Sequence, residues 1–301
     1  MHVIAKLKAL GLNEDAALEC LKFVKNELSS LTDYVSAKDD QSIADDLVRA
    51  IAVHATRQPV LQIFKDSPRE DALKILFIGN SLTFENNLPS VIAQLLVSGS
   101  TITSGKHQEE SRPLKVYMVV QGGVTLEDHW KYETACLVLT QKGPWDYVVL
   151  QEQSVRPLED PAKMFEYGSL LATEIKKAGA KILIYATWPM SDRLDSLGQL
   201  NSAFQNFASK VDAVIVPAGN CWAQASKKNR SLKLYNDLIH PTQAGTYLAA
   251  SAFYAVLTGT SPVGLPETLF DNDNVPFIKL SRKNALELQQ IAWETVSTRS
   301  A

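Results

Sequence analysis

The sequence has 301 residues, of which 46% are hydrophobic and 21% are charged, and its formal net charge is -3. This composition is typical of a soluble globular protein, and a pI near 6.0 argues against a nucleic-acid-binding surface. No run of eighteen apolar residues and no apolar signal-peptide core is present, so we expect neither a membrane span nor export.

The three cysteines are widely spaced and odd in number, which argues against a disulfide framework. Proteins without disulfides are typical of reducing compartments, so we expect a cytoplasmic location.

Residues 1–65 contain no strand-like run, and the spacing of their apolar residues predicts three short helices and a further helix over residues 42–64 that is broken near Pro59. Leu10-Gly11-Leu12 and the helical pattern after it resemble a UBA-type three-helix module, a class that binds ubiquitin-like partners. The alternative is a helical extension that packs on the following domain or on a second subunit. The polar, proline-bearing segment Lys65 to Asp71 predicts a linker, which gives a helical extension at 1–65 and a second domain at 72–301.

From Lys74 onward, short apolar strands alternate with helices. This alternation predicts an α/β fold with a parallel sheet covered by helices on both faces. The predicted strands are Ile75–Ile78, Leu114–Val120, Tyr147–Gln151, Lys181–Ala186 and Ala213–Val216. The predicted helices centre on residues 88–98, 126–140, 160–178, 195–209, 242–258 and 282–297.

The turn after the first of these strands holds a candidate nucleophile. Gly79 ends the strand, and Ser81 lies in the turn before the next helix. Ligands bind at this carboxyl edge in open α/β folds, and the N–H groups at a helix start favour developing negative charge. The alternative is that Ser81 only caps the helix.

A second candidate pair lies far downstream. Asp237 and His240 are three residues apart, before a helix that Pro241 opens. One such turn can supply both a general base and the carboxylate that orients it, which is what a serine hydroxyl needs to become a nucleophile. The alternative is that Asp237 caps the helix and His240 is a surface residue.

Four short blocks of this sequence resemble the conserved blocks of the SGNH hydrolases, the GDSL-type esterase superfamily. The G-N-S-L-T turn in particular resembles bacterial SGNH-like proteins. The resemblance implies a flavodoxin-like three-layer αβα fold with a five-stranded parallel sheet, here with an N-terminal helical extension. The blocks are Gly79–Thr83, Gln121–Gly123, Leu150–Ser154 and Asp237–Pro241.

By this resemblance, Ser81 is the nucleophile, His240 the base and Asp237 the group that orients it. The oxyanion hole would consist of the N–H groups of Ser81 and Gly123 and the side-chain amide of Gln153. The third block departs from the family pattern G-x-N-D, so Gln153 stands where an asparagine is usual. The loss of one such donor typically costs about a hundred- to a thousandfold in rate.

Other residues near the predicted cleft are assigned from their position. Trp188 follows one predicted strand and Gln151 ends another, and both are expected to bind substrate, with a lid over the core as the alternative for Trp188. Thr125 and Asp128 predict a capping box, and His129 on the same helix is expected to pack rather than react. The histidines and cysteines share no ligand spacing and no phosphate loop is present, so we expect neither metal nor cofactor.

The sequence therefore predicts a serine esterase acting on a short-chain ester, with acetyl as the acyl group and a carbohydrate as one candidate alcohol. The alternative is a catalytically weak SGNH-like scaffold or binding protein whose N-terminal helices recruit a partner. In either case residues 1–65 could recruit a protein partner or mediate self-association.

Overall fold

The computed structural model describes residues 58–103, 113–271 and 273–298. Residues 59–301 form one compact unit. The predicted N-terminal helices up to residue 57, including the UBA-like segment, lie outside the described residues. The predicted role of this segment in binding a partner therefore stays a prediction.

The centre of this unit is a six-stranded sheet in the order β1-β3-β2-β4-β5-β6. Strands β2 to β6 are parallel, and β1 pairs antiparallel with β3 at one edge. The five parallel strands follow the flavodoxin-like order, so the predicted three-layer architecture is confirmed. The strands are β1 Val60–Lys65, β2 Leu73–Gly79, β3 Leu114–Val120, β4 Tyr147–Leu150, β5 Lys181–Tyr185 and β6 Val214–Val216.

Helices cover both faces of the sheet. In chain order they are α1 Ser81–Phe84, α2 Leu88–Thr103, α3 Leu126–Lys131, α4 Thr134–Gln141, α5 Arg156–Glu159, α6 Pro161–Lys177, α7 Leu197–Val211, α8 Ala218–Lys228, α9 Gln243–Thr258 and α10 Arg282–Ser297. A two-stranded antiparallel sheet, β7 Thr268–Phe270 and β8 Pro276–Lys279, lies between α9 and α10.

Alternation along β2 distributes the core between the two faces. Ile75 and Phe77 pack in one apolar cluster with residues of α2, α8, α9 and α10. Leu76 and Ile78 pack in the other with residues of α3, α4, α6 and α7. Because both faces are buried, β2 is apolar throughout its centre, as the sequence indicated.

Open α/β sheets place their ligand crevice where the strand order reverses. The chain leaves β2 to one side to form β3, and reaches β4 on the other side, so the switch point lies between β2 and β4. Ile78 lies opposite Leu150 in the parallel register. The segments after both strands, Gly79–Ser81 and Gln151–Gln153, therefore emerge side by side.

Four local features differ from the sequence predictions. The helix predicted over residues 42–64 is wrong over residues 60–64, which belong to β1. The helix predicted over residues 126–140 is two helices, because Glu133 adopts a left-handed conformation with φ 59°. The predicted Ala218-Gly219-Asn220 loop is the start of α8, and the segment before α10, expected as loop, contains β7 and β8.

Candidate active site

The candidate nucleophile follows directly from the way β2 ends. Gly79 is the last residue of β2, and a Cβ at this position would collide with the side chains of Thr83 and Gln151. Asn80 caps α1, since its side-chain oxygen accepts from the Leu82 N–H at 3.2 Å. The cap of this helix is therefore Asn80, and Ser81 is left at the first helical position with its side chain partly exposed.

The structure brings the three predicted triad residues together across 159 positions of sequence. The Ser81 Oγ lies 2.9 Å from His240 Nε2, and His240 Nδ1 lies 2.7 Å from Asp237 Oδ2. Because an ionised carboxylate only accepts hydrogen bonds, the Nδ1 proton lies between His240 and Asp237. His240 Nε2 is then free to accept the proton of the Ser81 hydroxyl, as a general base does.

Asp237 is held as an anion by its own turn. Its Oδ1 accepts from the N–H groups of Ile239 at 2.8 Å and His240 at 2.7 Å. Partial burial works to raise the pKa of Asp237, but these bonds and the His240 ring together lower it to about 2. Asp237 does not cap the following helix, because the N-cap of α9 is Thr242.

Asn86 connects the turn that carries Ser81 to the segment that carries His240. Its amide nitrogen donates to the Pro241 carbonyl at 2.8 Å and to the Thr246 hydroxyl at 3.0 Å. Its backbone has φ 48°, a left-handed conformation that asparagine tolerates better than most residues. Asn86 thus links the turn that carries Ser81 to the residue after His240, a role that no local sequence pattern indicates.

Trp188 packs in the core and hydrogen-bonds to the residue before His240. Its ring is fully buried, its Nε1 donates to the Ile239 carbonyl at 2.9 Å, and it stacks on Trp222 with ring centroids 3.7 Å apart. A buried ring does not fit the predicted substrate-binding role. Trp188 instead fixes the backbone that carries His240, which is close to the alternative role of a lid over the core.

Gln151 and Gln153, both shortly after β4, hold two different neighbouring segments. The Gln151 side-chain oxygen accepts from the Asn80 N–H at 2.8 Å and the Thr83 hydroxyl at 2.9 Å, and its amide donates to the Glu152 carbonyl. Gln151 is fully buried, so its position does not fit the predicted contact with substrate. The Gln153 side-chain oxygen accepts from the N–H groups that open α5, those of Val155 and Arg156, both at 3.0 Å.

These bonds orient the proposed oxyanion donors. Because the Gln153 oxygen is turned toward α5, its amide nitrogen is the free end, and it donates to no group in the described part of the chain. The Ser81 and Gly123 N–H groups also meet no protein acceptor among the described residues. Gly123 is exposed and has φ 69°, which suits glycine.

The capping box of α3 was predicted correctly. Thr125 Oγ1 accepts from the Asp128 N–H at 3.2 Å, and Asp128 Oδ2 accepts from the Thr125 N–H at 2.9 Å. The loop that carries Gly123 therefore ends at a well-defined residue. Asn80 also reaches this loop, since its side-chain nitrogen donates to the Val124 carbonyl at 2.9 Å.

His129 lies behind the end of β2 and is fully buried. Its Nε2 is 2.8 Å from the Gly79 carbonyl, which requires the Nε2–H tautomer. Burial lowers the pKa of His129 to about 4, against the opposing effect of this hydrogen bond. A neutral, enclosed imidazole agrees with the predicted packing role.

No family model and no curated protein matches this sequence. Among solved structures, a proposed SGNH hydrolase from Slackia heliotrinireducens is 29% identical, covering 62% of this chain and 99% of that one, with a TM-score of 0.49. An α/β-hydrolase enzyme from the metagenome of Lake Arreo, Spain, is 16% identical, covering 62% and 96%, with a TM-score of 0.51. A catalytic mutant of Axe2, an acetylxylan esterase from Geobacillus stearothermophilus, is 16% identical, covering 64% and 97%, with a TM-score of 0.49. The resemblance to the SGNH hydrolases rests on the four sequence blocks, and the Lake Arreo enzyme adds a likeness in fold.

This SGNH-like chain departs from the superfamily pattern at two described positions. Asn80 replaces the aspartate of the G-D-S block, and the structure uses its amide both as a helix cap and as a donor to the Val124 carbonyl. An aspartate could make the first of these bonds but not the second. Gln153 replaces the asparagine of the third block, and its oxyanion role stays a prediction.

The described residues contain no group of three or more potential metal ligands. No helix among them has the length and apolar content that crossing a membrane requires.

Proposed function

We propose that the protein is a serine esterase that hydrolyses short-chain esters through an acyl-enzyme. The observation that carries this proposal is the continuous hydrogen-bonded series Ser81–His240–Asp237, with its 2.9 Å and 2.7 Å contacts. A serine, an imidazole and a carboxylate in this order form the geometry of nucleophilic acyl transfer, whatever the fold that carries them.

In the first half of the reaction, Ser81 Oγ attacks the ester carbonyl carbon while its proton passes to His240 Nε2. The carbonyl oxygen becomes an oxyanion, which the free donors of Ser81, Gly123 and Gln153 stabilise. The tetrahedral intermediate then expels the alcohol, which takes the proton from His240. Asp237 keeps the ring oriented and stabilises its positive charge.

In the second half, water attacks the acyl-enzyme and gives a proton to His240. The carboxylic acid leaves, and Ser81 Oγ recovers the proton from the ring. All atoms balance as ester plus water to acid plus alcohol, with no cofactor.

The direct test is hydrolysis of p-nitrophenyl acetate by the full chain and by Ser81→Ala and His240→Ala. We expect each substitution to lower kcat by about 10⁴-fold or more, because triad members act as a unit. Ser202→Ala is the matched control, since this exposed serine on α7 only donates to the Gly198 carbonyl. Unchanged turnover in Ser81→Ala would overturn the mechanism.

The acyl group that we propose is acetyl, with a carbohydrate as the alcohol, on the strength of the resemblance of the four sequence blocks. A series of p-nitrophenyl esters from C2 to C8 tests the first part: kcat/KM should fall with chain length. Release of acetate from acetylated xylo-oligosaccharides tests the second part. A kcat/KM that rises toward C8 would assign the site to longer acyl groups.

A further inference from the structure

Glu152 is a buried carboxyl group that the proposed mechanism does not use. Glu152 is only 3% exposed and lies two residues beyond the carboxyl end of β4. Its Oε1 accepts from the Leu126 N–H at 3.2 Å and from the Gln153 N–H at 2.6 Å. A buried carboxyl group lowers stability unless its oxygens are bonded, so this position calls for an explanation.

The two donors belong to two different segments of the candidate oxyanion hole. Leu126 is the first residue of α3 and follows Gly123 by three residues, at the end of the capped loop. Gln153 carries the candidate side-chain donor. The Glu152 carboxyl group therefore joins the segments that hold two of the three proposed oxyanion donors.

The protonation state of Glu152 does not change its ability to hold the two segments together. Burial raises the pKa of Glu152 to about 7, and the Asp128 carboxylate adds to this. The two N–H donors and the Arg156 guanidinium oppose the shift. Either protonation state leaves Oε1 able to accept both N–H groups.

We propose that Glu152 is a positioning residue that sets the separation between the Gly123 and Gln153 oxyanion donors. It touches no substrate and acts only through these two loops. This inference rests on the proposed esterase function, because it concerns the geometry of the same reaction.

The test compares kcat and KM for p-nitrophenyl acetate in the full chain with Glu152→Gln, Glu152→Leu and Glu152→Ala. Glutamine keeps an acceptor oxygen, so we expect its kcat within about threefold of the parent. Leucine and alanine lose the acceptor, and we expect kcat to fall about 10- to 100-fold with KM within about threefold, because the donors act mainly in the transition state. All assays are run where denaturation curves show each variant to be folded.

Asp146→Ala is the matched control. Asp146 directly precedes β4, at the end of the strand opposite to Glu152, and its carboxylate accepts the Lys74 N–H at 2.8 Å. A general loss of rigidity in β4 would lower kcat in this variant as well, whereas a local role at the oxyanion hole predicts no change.

A double variant asks whether Glu152 acts through Gln153. Glu152→Leu in a Gln153→Ala background should cost clearly less than in the parent, because the donor that it positions is already gone. Fully additive losses would overturn the proposal. So would a parent-like kcat in both Leu and Ala variants, a loss in Gln equal to that in Ala, an effect confined to KM, or failure of both the Leu and Ala variants to fold.

The experiments separate a failure of the proposed esterase function from a failure of the role of Glu152. If the parent shows no Ser81-dependent turnover, the proposed function is wrong, and this inference is overturned with it. If turnover depends on Ser81 but any of the contrary results above appears, only the role of Glu152 is wrong.

Discussion

The side-chain oxygen of Gln151 accepts the backbone N–H of Asn80 at 2.8 Å, and this bond ties the residue before the candidate nucleophile to the end of β4. The same oxygen accepts the Thr83 hydroxyl at 2.9 Å. Since all three residues are buried, water cannot replace Gln151 as the acceptor.

Gln151→Met keeps the shape of the side chain but leaves both donors unpaired. We expect the free energy of unfolding to fall by about 1–3 kcal/mol, the usual cost of stranding a buried donor. Chemical denaturation measures this, with Gln199→Met as a control on the exposed surface of α7, where a change within about 0.5 kcal/mol is expected. Equal stability of Gln151→Met and the parent would show that this bond does not hold the turn.

Asn86→Gly should lower kcat for p-nitrophenyl acetate about five- to tenfold, because the bond between the two catalytic segments is lost while glycine keeps the left-handed backbone. Asn87→Gly is the matched control. Asn87 also has positive φ, at 57°, and its side-chain oxygen has no hydrogen-bond partner among the described residues. Similar kcat values for the two glycine variants would remove the special role of Asn86.

Trp188→Phe deletes the N–H that holds the Ile239 carbonyl, and kcat should fall by about fivefold or more as the His240 ring loses support. Trp222→Phe makes the same change in the partner of the stack, whose N–H makes no hydrogen bond to the Ile239 carbonyl. It should affect stability but leave kcat near that of the parent. If both variants lost kcat equally, the position of the His240 segment would depend on packing of the two rings and not on the Trp188 hydrogen bond.

The buried His129 predicts a stability change with pH. The unfolded chain binds a proton at this residue near pH 6.5, whereas the folded protein binds it only near pH 4. Below pH 6.5 the unfolded state therefore carries more protons, and the stability of the folded state falls as pH drops toward 4.

His129→Gln removes this titration and keeps a donor near the Gly79 carbonyl. The difference in unfolding free energy between parent and variant, measured by urea denaturation, should shift against the parent between pH 7.5 and pH 4.5. A difference that stays constant over this range would show that the folded protein can protonate His129.

The parts of the fold that the sequence predicted well are those set by local patterns. Each parallel strand is an apolar run with a polar or glycine boundary, so its position is visible without knowledge of its neighbours. The Thr125–Asp128 capping box and the Asp237–His240 turn are local for the same reason, because their partners are three residues apart.

The features that were missed depend on distant contacts. Val60–Lys65 becomes a strand by pairing with β3, more than fifty residues away, and follows Pro59, which interrupts a helical pattern. Gly219 was predicted to lie in a loop, but it lies in α8. Glycine is required there because a Cβ would collide with the Thr187 carbonyl. The burial of Gln151 and Trp188 could not be predicted, because the segments that cover these side chains are distant in the sequence.

The central claim is that Ser81 is a nucleophile activated by His240, and labelling with a fluorophosphonate tests it most directly. Mass spectrometry of the labelled, folded full chain should find one adduct, on Ser81, and labelling of His240→Ala should be at least about a hundredfold slower. Folded protein that carries no adduct on Ser81, or that labels at the same rate without His240, would contradict the account.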